Sequence, residues 1–164
     1  MSTPDTPALR RITEAEDADW CAQLMAETDP WRTFGRTLEA SRALMLDPSR
    51  EAYVAHVNGE RVGFAVLWMA GPFSGYLQSL GLAPEWRSKG IGGAVMSLIE
   101  ERIFTTSPNV FVLASSFNPR ARRFYERAGY TLIGEVSDFM IPGHSEFLYR
   151  KSIGPLKTFV SRAP

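Results

Sequence analysis

The chain has one cysteine, Cys21, and two histidines, His56 and His144. A single thiol excludes an internal disulfide and a thiolate-rich zinc site, and it fits a reducing cytoplasm. Two histidines are too few for a multi-histidine metal centre, so no metal is expected. Net charge is also missing, because 18 Lys and Arg balance 18 Asp and Glu. Such a chain has no global field to draw it onto nucleic acid or an anionic membrane, and it shows no basic stripe with interleaved aromatics. Long apolar runs are absent. The most apolar stretch, Val62 to Phe73, is broken by Gly63, Gly71 and Pro72, and a membrane helix needs ~20 apolar residues. The start, MSTPDTPALRR, has no apolar core of signal-peptide length behind a basic segment. The expectation is a cytoplasmic protein with neither nucleic acid nor a membrane as partner.

What remains is globular. A 45% hydrophobic and 22% charged composition excludes wholesale disorder, and 164 residues fit one domain. Residues 1–8 are rich in Ser, Thr and Pro and are expected to fray. Leu9 to Ile12 predicts a short strand. Thr13 and Glu16 have the spacing of a capping box, opening a helix with Trp20, Leu24 and Met25 on its buried side and Asp29-Pro30 as its stop. A second helix is expected from Trp31 or Thr33 to about Leu46, with Phe34, Leu38, Ser41 and Met45 at helical spacing. Asn58-Gly59, between the β-rich runs Ala52–Val57 and Arg61–Met69, tolerates the positive φ of a type I′ hairpin turn. Tyr76–Leu82 reads as a strand, and Ser88 to Phe104 as a helix with Ile91, Val95, Leu98, Ile99 and Ile103 inward. Val110–Ser115 reads as a buried strand and Asn118–Ala128 as a helix stopped by Gly129. Tyr130–Val136 and Phe147–Lys151 read as strands. The order implies an α/β fold with a mixed sheet.

Two segments carry chemistry. In the first, Leu80 to Ala94, a strand ends and three glycines with Arg87 and Lys89 stand where a helix begins. A helix N-terminus has unpaired N–H groups and partial positive charge, so it holds phosphate, and glycine admits the ligand close to the backbone. Three glycines there cost helix stability, which favours function over plain packing. A Walker A loop is absent, and Val95 stands where the Rossmann fingerprint needs its third glycine. The second segment is Asn118 to Tyr130, with Asn118 and Tyr125 seven residues apart.

Arg87-Ser-Lys-Gly-Ile-Gly, of the form Arg/Gln-x-x-Gly-x-Gly/Ala, resembles the pyrophosphate loop of the GNAT family of N-acetyltransferases. The stretch from Asn118 to Tyr130 resembles that family's Asn-x-x-Ala-x-x-x-Tyr-x-x-x-Gly-Phe/Tyr helix, one strand later. The resemblance implies a single GNAT domain over residues 9–153, with 154–164 as a C-terminal extension. Its sheet would be mixed and mostly antiparallel, flanked by four helices and splayed between Tyr76–Leu82 and Val110–Ser115, with a bulge placed at Gly81. It also implies an acyltransferase that uses acetyl-CoA as co-substrate and needs no metal. Leu80, Gly81 and Leu82 would offer backbone groups to the pantetheine arm, with the Leu82 N–H as oxyanion donor. Arg87, Ser88, Lys89, Gly90, Ile91, Gly92 and Gly93 would wrap the pyrophosphate. Asn118 would bond the pantetheine chain. Tyr125 would sit near sulfur and protonate the departing thiolate, since a phenol with a reference pKa of ~10 stays protonated at neutral pH.

The base has no clear owner. Asp29, Glu135, Asp138, His144, Glu146 and a water relay stand level. Arg120, Arg123 and Arg127 share a helix face that reads as solvated, with Arg123 best placed if one of them meets the CoA 3′-phosphate. Trp31 and Phe34 either line the acceptor mouth or pack the second helix. His56 reads as structural. The expected partner is a small-molecule or peptide amine, and a homodimer stays open. A domain of the same fold that binds acetyl-CoA without turnover is the alternative.

Overall fold

Asn58 and Gly59 both take positive φ, 51° and 82°, and between them the strand β2 (Glu51–Val57) returns as β3 (Glu60–Trp68), as the Asn-Gly pair predicts. In this computed structural model, which describes residues 5–162, the hairpin sits near the middle of one half of a sheet. The elements before it are β1 (Ala8–Arg11), α1 (Ala15–Glu27) and α2 (Leu38–Met45). After it come β4 (Tyr76–Leu82), α3 (Ile91–Phe104), β5 (Asn109–Ser115), α4 (Pro119–Arg127), β6 (Thr131–Ser137) and β7 (Ser145–Ser152). The strands form one seven-stranded sheet in the order β1-β2-β3-β4-β5-β7-β6. Among the described strands only β4 and β5 run parallel. This is the mixed, mostly antiparallel sheet with four helices that the sequence implies.

Two cores separate the faces. On one, Ala18, Cys21, Ala22 and Met25 of α1 and Leu44 and Met45 of α2 pack on Val54, Phe64 and Val66. Small residues along α1 let it approach the strands closely, and burial pushes the Cys21 thiol up to about 12, which leaves it inert. On the other, Ile91, Val95, Met96, Ile99 and Ile103 of α3 and Tyr125 of α4 pack on Val62, Leu77, Val112 and Tyr149. Among the described residues no helix is long and apolar enough to cross a membrane.

Several local expectations are corrected. The Thr13–Glu16 capping box does not form: α1 opens after Glu14 with no side-chain cap, and the Thr13 hydroxyl points at the Glu14 carboxylate 3.4 Å away. The buried side of α1 is as expected, with Met25 in that core and Trp20 and Leu24 packed half-buried against it. The second helix starts later than expected, because Thr37 caps it by accepting from the Ala40 N–H at 3.1 Å. Leu38 is exposed and Leu44 takes the buried place. On α3, Met96 rather than Leu98 is fully buried. Residues 1–4 lie outside the described residues, but order begins before residue 9: Ala8 pairs with His56, and Asp5 accepts from the Asn58 side-chain amide at 3.0 Å. The C-terminal extension folds back, with the Arg162 N–H donating to the Thr105 carbonyl at 2.7 Å.

The feature that makes the site is the seam between β4 and β5. They pair only at Tyr76–Phe111 and Leu77–Val112 and then diverge. The bulge on β4 is not at Gly81. Val66 pairs with Ser79 and Leu67 with Leu77, so Gln78 is the extra residue. Gly81 instead yields space to Phe64 across the β3–β4 pair, where a Cβ would stand 2.6 Å from the ring.

Candidate active site

Where β4 and β5 part, a cleft of about 1220 Å³ opens, larger than the ~300–1,000 Å³ of pockets that hold one small ligand. At one side lies the start of α3. Gly90 stands at its N-cap in the left-handed region, with no side-chain cap and no acidic residue in the first turn. The first N–H groups of α3 are therefore unsatisfied and its positive end is unneutralised. Ser88, also at positive φ (60°), turns the loop. The Arg120 guanidinium donates to the Ser88 hydroxyl at 2.8 Å, and the Arg87 Nε donates to the Leu82 carbonyl at 3.0 Å. Among the described residues no carboxylate forms an ion pair with either arginine. Burial and the neighbouring Arg120 charge hold the Arg87 guanidinium below its usual range. Two crowded cations over an uncapped helix end form a place for a polyanion.

Leu80, Gly81, Leu82, Arg87, Ser88, Gly90, Gly92 and Gly93 all line the cleft. Lys89 turns away, its ammonium 5.3 Å from the centre of the Trp86 ring, and the Ile91 side chain is buried in the core. The Ala83 N–H donates to Val62 of β3. Since antiparallel pairing alternates, the amides of Leu80 and Leu82 aim away from β3, into the gap that β5 leaves. Gly81 aims its own at β3, so its part in the site is steric. Asn118 caps α4, its Oδ1 accepting from the Ala121 N–H at 3.2 Å, and its side chain also borders the cleft.

Deeper in, Tyr125 projects from α4 and is 7% exposed. Its ring packs against Tyr130 and Tyr149, and its hydroxyl has no hydrogen-bond partner among the described residues. Burial, with Tyr76 nearby, pushes the phenol well above the ordinary value. Tyr76 is pushed up to about 12, by burial and then by the Glu146 charge. Glu146, 5% exposed, lines the same cleft and accepts from the Ser115 hydroxyl at 2.6 Å. Burial raises its carboxyl and the Ser115 bond partly offsets this.

The five base candidates separate. Asp29 reaches the mouth but accepts from Arg32 at 2.7 Å and Thr33 at 2.8 Å. Glu135 accepts from Ser145 and Asp138 from the Gly143 N–H, both on the exposed surface. His144 stands edge-on to Phe117, with ring centres 5.0 Å apart. Only Glu146 is buried in the cleft. Trp31 and Phe34 both line the cleft and both pack, on Phe64 and Phe117 respectively. Arg123 is exposed and off the cleft, whereas Arg120 and Arg127 line it. Sequence reasoning missed Tyr76, Ser115 and Phe117. No local pattern marks them, because they meet only through the register of distant strands. Among the described residues no three His, Cys, Asp or Glu side chains form a metal-ligating group.

The chain matches the acetyltransferase (GNAT) family over residues 10–130. Among solved structures it is similar to a GNAT-family protein from Desulfovibrio desulfuricans, at TM-score 0.75 and 20% identity over 91% of this chain and 100% of that one. It is similar also to aminoglycoside 6'-acetyltransferase type Ii, at TM-score 0.73 and 20% identity over 90% and 98% of the two chains. The spermidine N-acetyltransferase of Vibrio cholerae aligns at TM-score 0.69 and 14% identity over 90% and 94%. At these identities the structures speak for the fold, and the family match, which takes in the split sheet, the uncapped loop and the tyrosine helix, speaks for lineage: the chain belongs to the acetyltransferase (GNAT) family, enzymes that draw their acetyl group from acetyl-CoA.

Proposed function

We propose that the protein moves the acetyl group of acetyl-CoA to a primary amine of a small molecule or peptide by direct attack, with Tyr125 as general acid. The observation that carries this reading is the pair Arg87 and Arg120. They lack carboxylate partners among the described residues and crowd the open N-terminus of α3 at the edge of a cleft that also holds Tyr125. Acetyl-CoA supplies an activated thioester, and the rest falls to the chain. Arg87, Arg120, Ser88 and the N–H groups after Gly90 hold the pyrophosphate. The Leu80 and Leu82 amides and Asn118 hold the pantetheine arm. The Leu82 N–H also faces the oxyanion that forms as the amine attacks. Tyr125, kept protonated by burial, donates to the thiolate as it leaves. Trp31 and Phe34 frame the acceptor.

The test is calorimetry with acetyl-CoA, followed by release of free thiol with a panel of primary amines. Binding together with amine-dependent thiol release is the expected result. A protein that does not bind acetyl-CoA overturns the reading. One that binds it but releases no thiol with any amine is a binding module.

A further inference from the structure

We propose that Glu146 receives the acceptor's ammonium and takes its proton, and that the acceptor carries a single positive charge on an apolar body. This rests on the transfer reading above.

The placement follows from register. Residues directly opposite in neighbouring strands share a face of the sheet. Ser115 opposes Glu146, and Phe111 opposes Tyr76. Their neighbours Val112, Ala114, Phe147 and Tyr149 belong to the core under α3 and α4, so alternation along the strands turns Glu146, Ser115 and Tyr76 to the α1 and α2 side. Tyr125 comes from the α4 side. The carboxylate and the phenol therefore approach the split from opposite faces of the sheet, as an acid and a base acting on the two ends of one transfer must.

Glu146 has no cationic partner among the described residues. Buried charges are paired or hydrogen-bonded, yet among the described residues only the Ser115 hydroxyl bonds it. The groups facing it are few: Ser115 from β5, Tyr76 from β4 and the apolar Val136 from β6. None is a cation. An incoming ammonium supplies the missing partner.

The surroundings limit the acceptor to one charge. Of the other carboxylates on the cleft, Asp29 is paired with Arg32 and bonded by Thr33, and Glu27 stands exposed to solvent, bonded by Gln23 at 3.0 Å. Arg32 is taken up by Asp29, but Arg36 lines the cleft with no carboxylate partner among the described residues and repels a second cation. The apolar walls there come from Phe34, Phe117, Phe139 and Met140. In the step itself, one N–H bond of the ammonium breaks and its proton goes to Glu146. The freed lone pair bonds to the thioester carbon. The C–S pair then goes to sulfur, which takes the Tyr125 proton. The second proton lost from nitrogen restores Tyr125 through solvent, and the Glu146 proton leaves to water, one released per turnover.

The test uses the full chain with two probe amines, 2-phenylethylamine and spermidine, and acetyl-CoA affinity as the fold control. The native protein should acetylate 2-phenylethylamine with at least about tenfold higher kcat/KM than spermidine, a margin that a methylene-scale fit alone supplies. Glu146→Gln keeps the shape and should lose ~10²–10⁴ in kcat/KM, with acetyl-CoA affinity unchanged and activity returning at high pH as the free amine forms in solution. Ser115→Ala removes a bond to the charged carboxylate, so the acid limb of the native pH profile should move to higher pH. A Glu146→Gln variant with native kcat/KM and pH profile overturns the assignment, as does preference for spermidine or failure to acetylate either amine. Failure of the native protein to bind acetyl-CoA sinks the transfer reading itself, a separate result.

Discussion

Phe64 and Gly81 face each other across the β3–β4 pair, and the Phe64 ring occupies the space a Cβ on Gly81 would need. Trp31, 3.4 Å from the same point, closes the third side. Gly81→Ala must displace the Phe64 ring, and Trp31, already in contact with the same point, leaves it little room. Overpacking of this kind costs ~1–3 kcal/mol, to be read as a lower denaturation midpoint with an unchanged slope. Adding Phe64→Leu to Gly81→Ala should recover part of the loss. Native stability in Gly81→Ala would show that the rings yield freely.

Arg120 touches the loop at Ser88, and Arg123, one turn along, does not. Arg120→Ala should weaken acetyl-CoA binding about 10–100-fold, the equivalent of the ~1.5–3 kcal/mol of a hydrogen bond to a charged group. The deficit should shrink as salt rises. Arg123→Ala should bind acetyl-CoA like the native chain. Calorimetry at two salt concentrations separates them, and equal losses would return both arginines to the solvated surface.

Tyr125→Phe keeps the ring and its packing, so acetyl-CoA affinity and melting temperature should hold. The kcat should fall by ~10²–10⁴. Burial raises the phenol, and a general acid works below its pKa. Loss of activity by Tyr125 ionisation therefore belongs above pH ~10, the reference value for tyrosine. A native profile that falls between pH 8 and 9 and a variant that shares it would assign that limb to another group.

Asp17, 2% exposed, is a stability device remote from the cleft. Burial disfavours its charge, but Arg61 and Arg10, donating at 2.9 and 2.8 Å, outweigh this and leave its carboxyl below the usual value. A carboxyl depressed in the folded state contributes stability above its unfolded pKa, ~3.9, and that contribution disappears as pH falls through the folded value. Asp17→Ala should cost on the order of 1.5–3 kcal/mol at pH 7. The gap between variant and native should narrow as pH falls below ~3.9. A gap that is constant with pH would mean that packing, not charge, is what Asp17 supplies.

The order of strands and helices was legible because each element carries a local signal. Asn58-Gly59 marks one hairpin, Pro119 and Gly129 bracket α4, and apolar positions recur along α3. Signals weighed without their surroundings misled. Thr13 and Glu16 have the right spacing for a cap, but the N-cap of α1 is Glu14, one residue too late for it. Gly81 suggested a bulge, whereas Phe64 explains it. Helix spacing singles out Arg123, whereas Arg120 is the one that reaches the loop at Ser88. The side of the cleft proposed for the cofactor comes from two runs, Leu80–Gly93 and Asn118–Tyr125, each continuous in sequence. The side proposed for the acceptor is assembled by β7 lying beside β5, 31 positions from Ser115 to Glu146, and only the register brings such residues together.

The two-rung seam has a consequence for how the chain comes apart. On one side lie β1 to β4, residues 8–82, and on the other β5 to β7, residues 109–152. Each half is contiguous in sequence and is stitched by full antiparallel ladders, with α3 as the chain link between them. The halves share the core under α3, but each keeps its own hydrogen-bonded ladders, and such units open with their own free energies. Amide exchange should therefore show two blocks of protection, each with its own opening free energy and a weak line at Tyr76 and Leu77. A ligand that lies along the seam should merge the blocks into one by acting as the missing rungs.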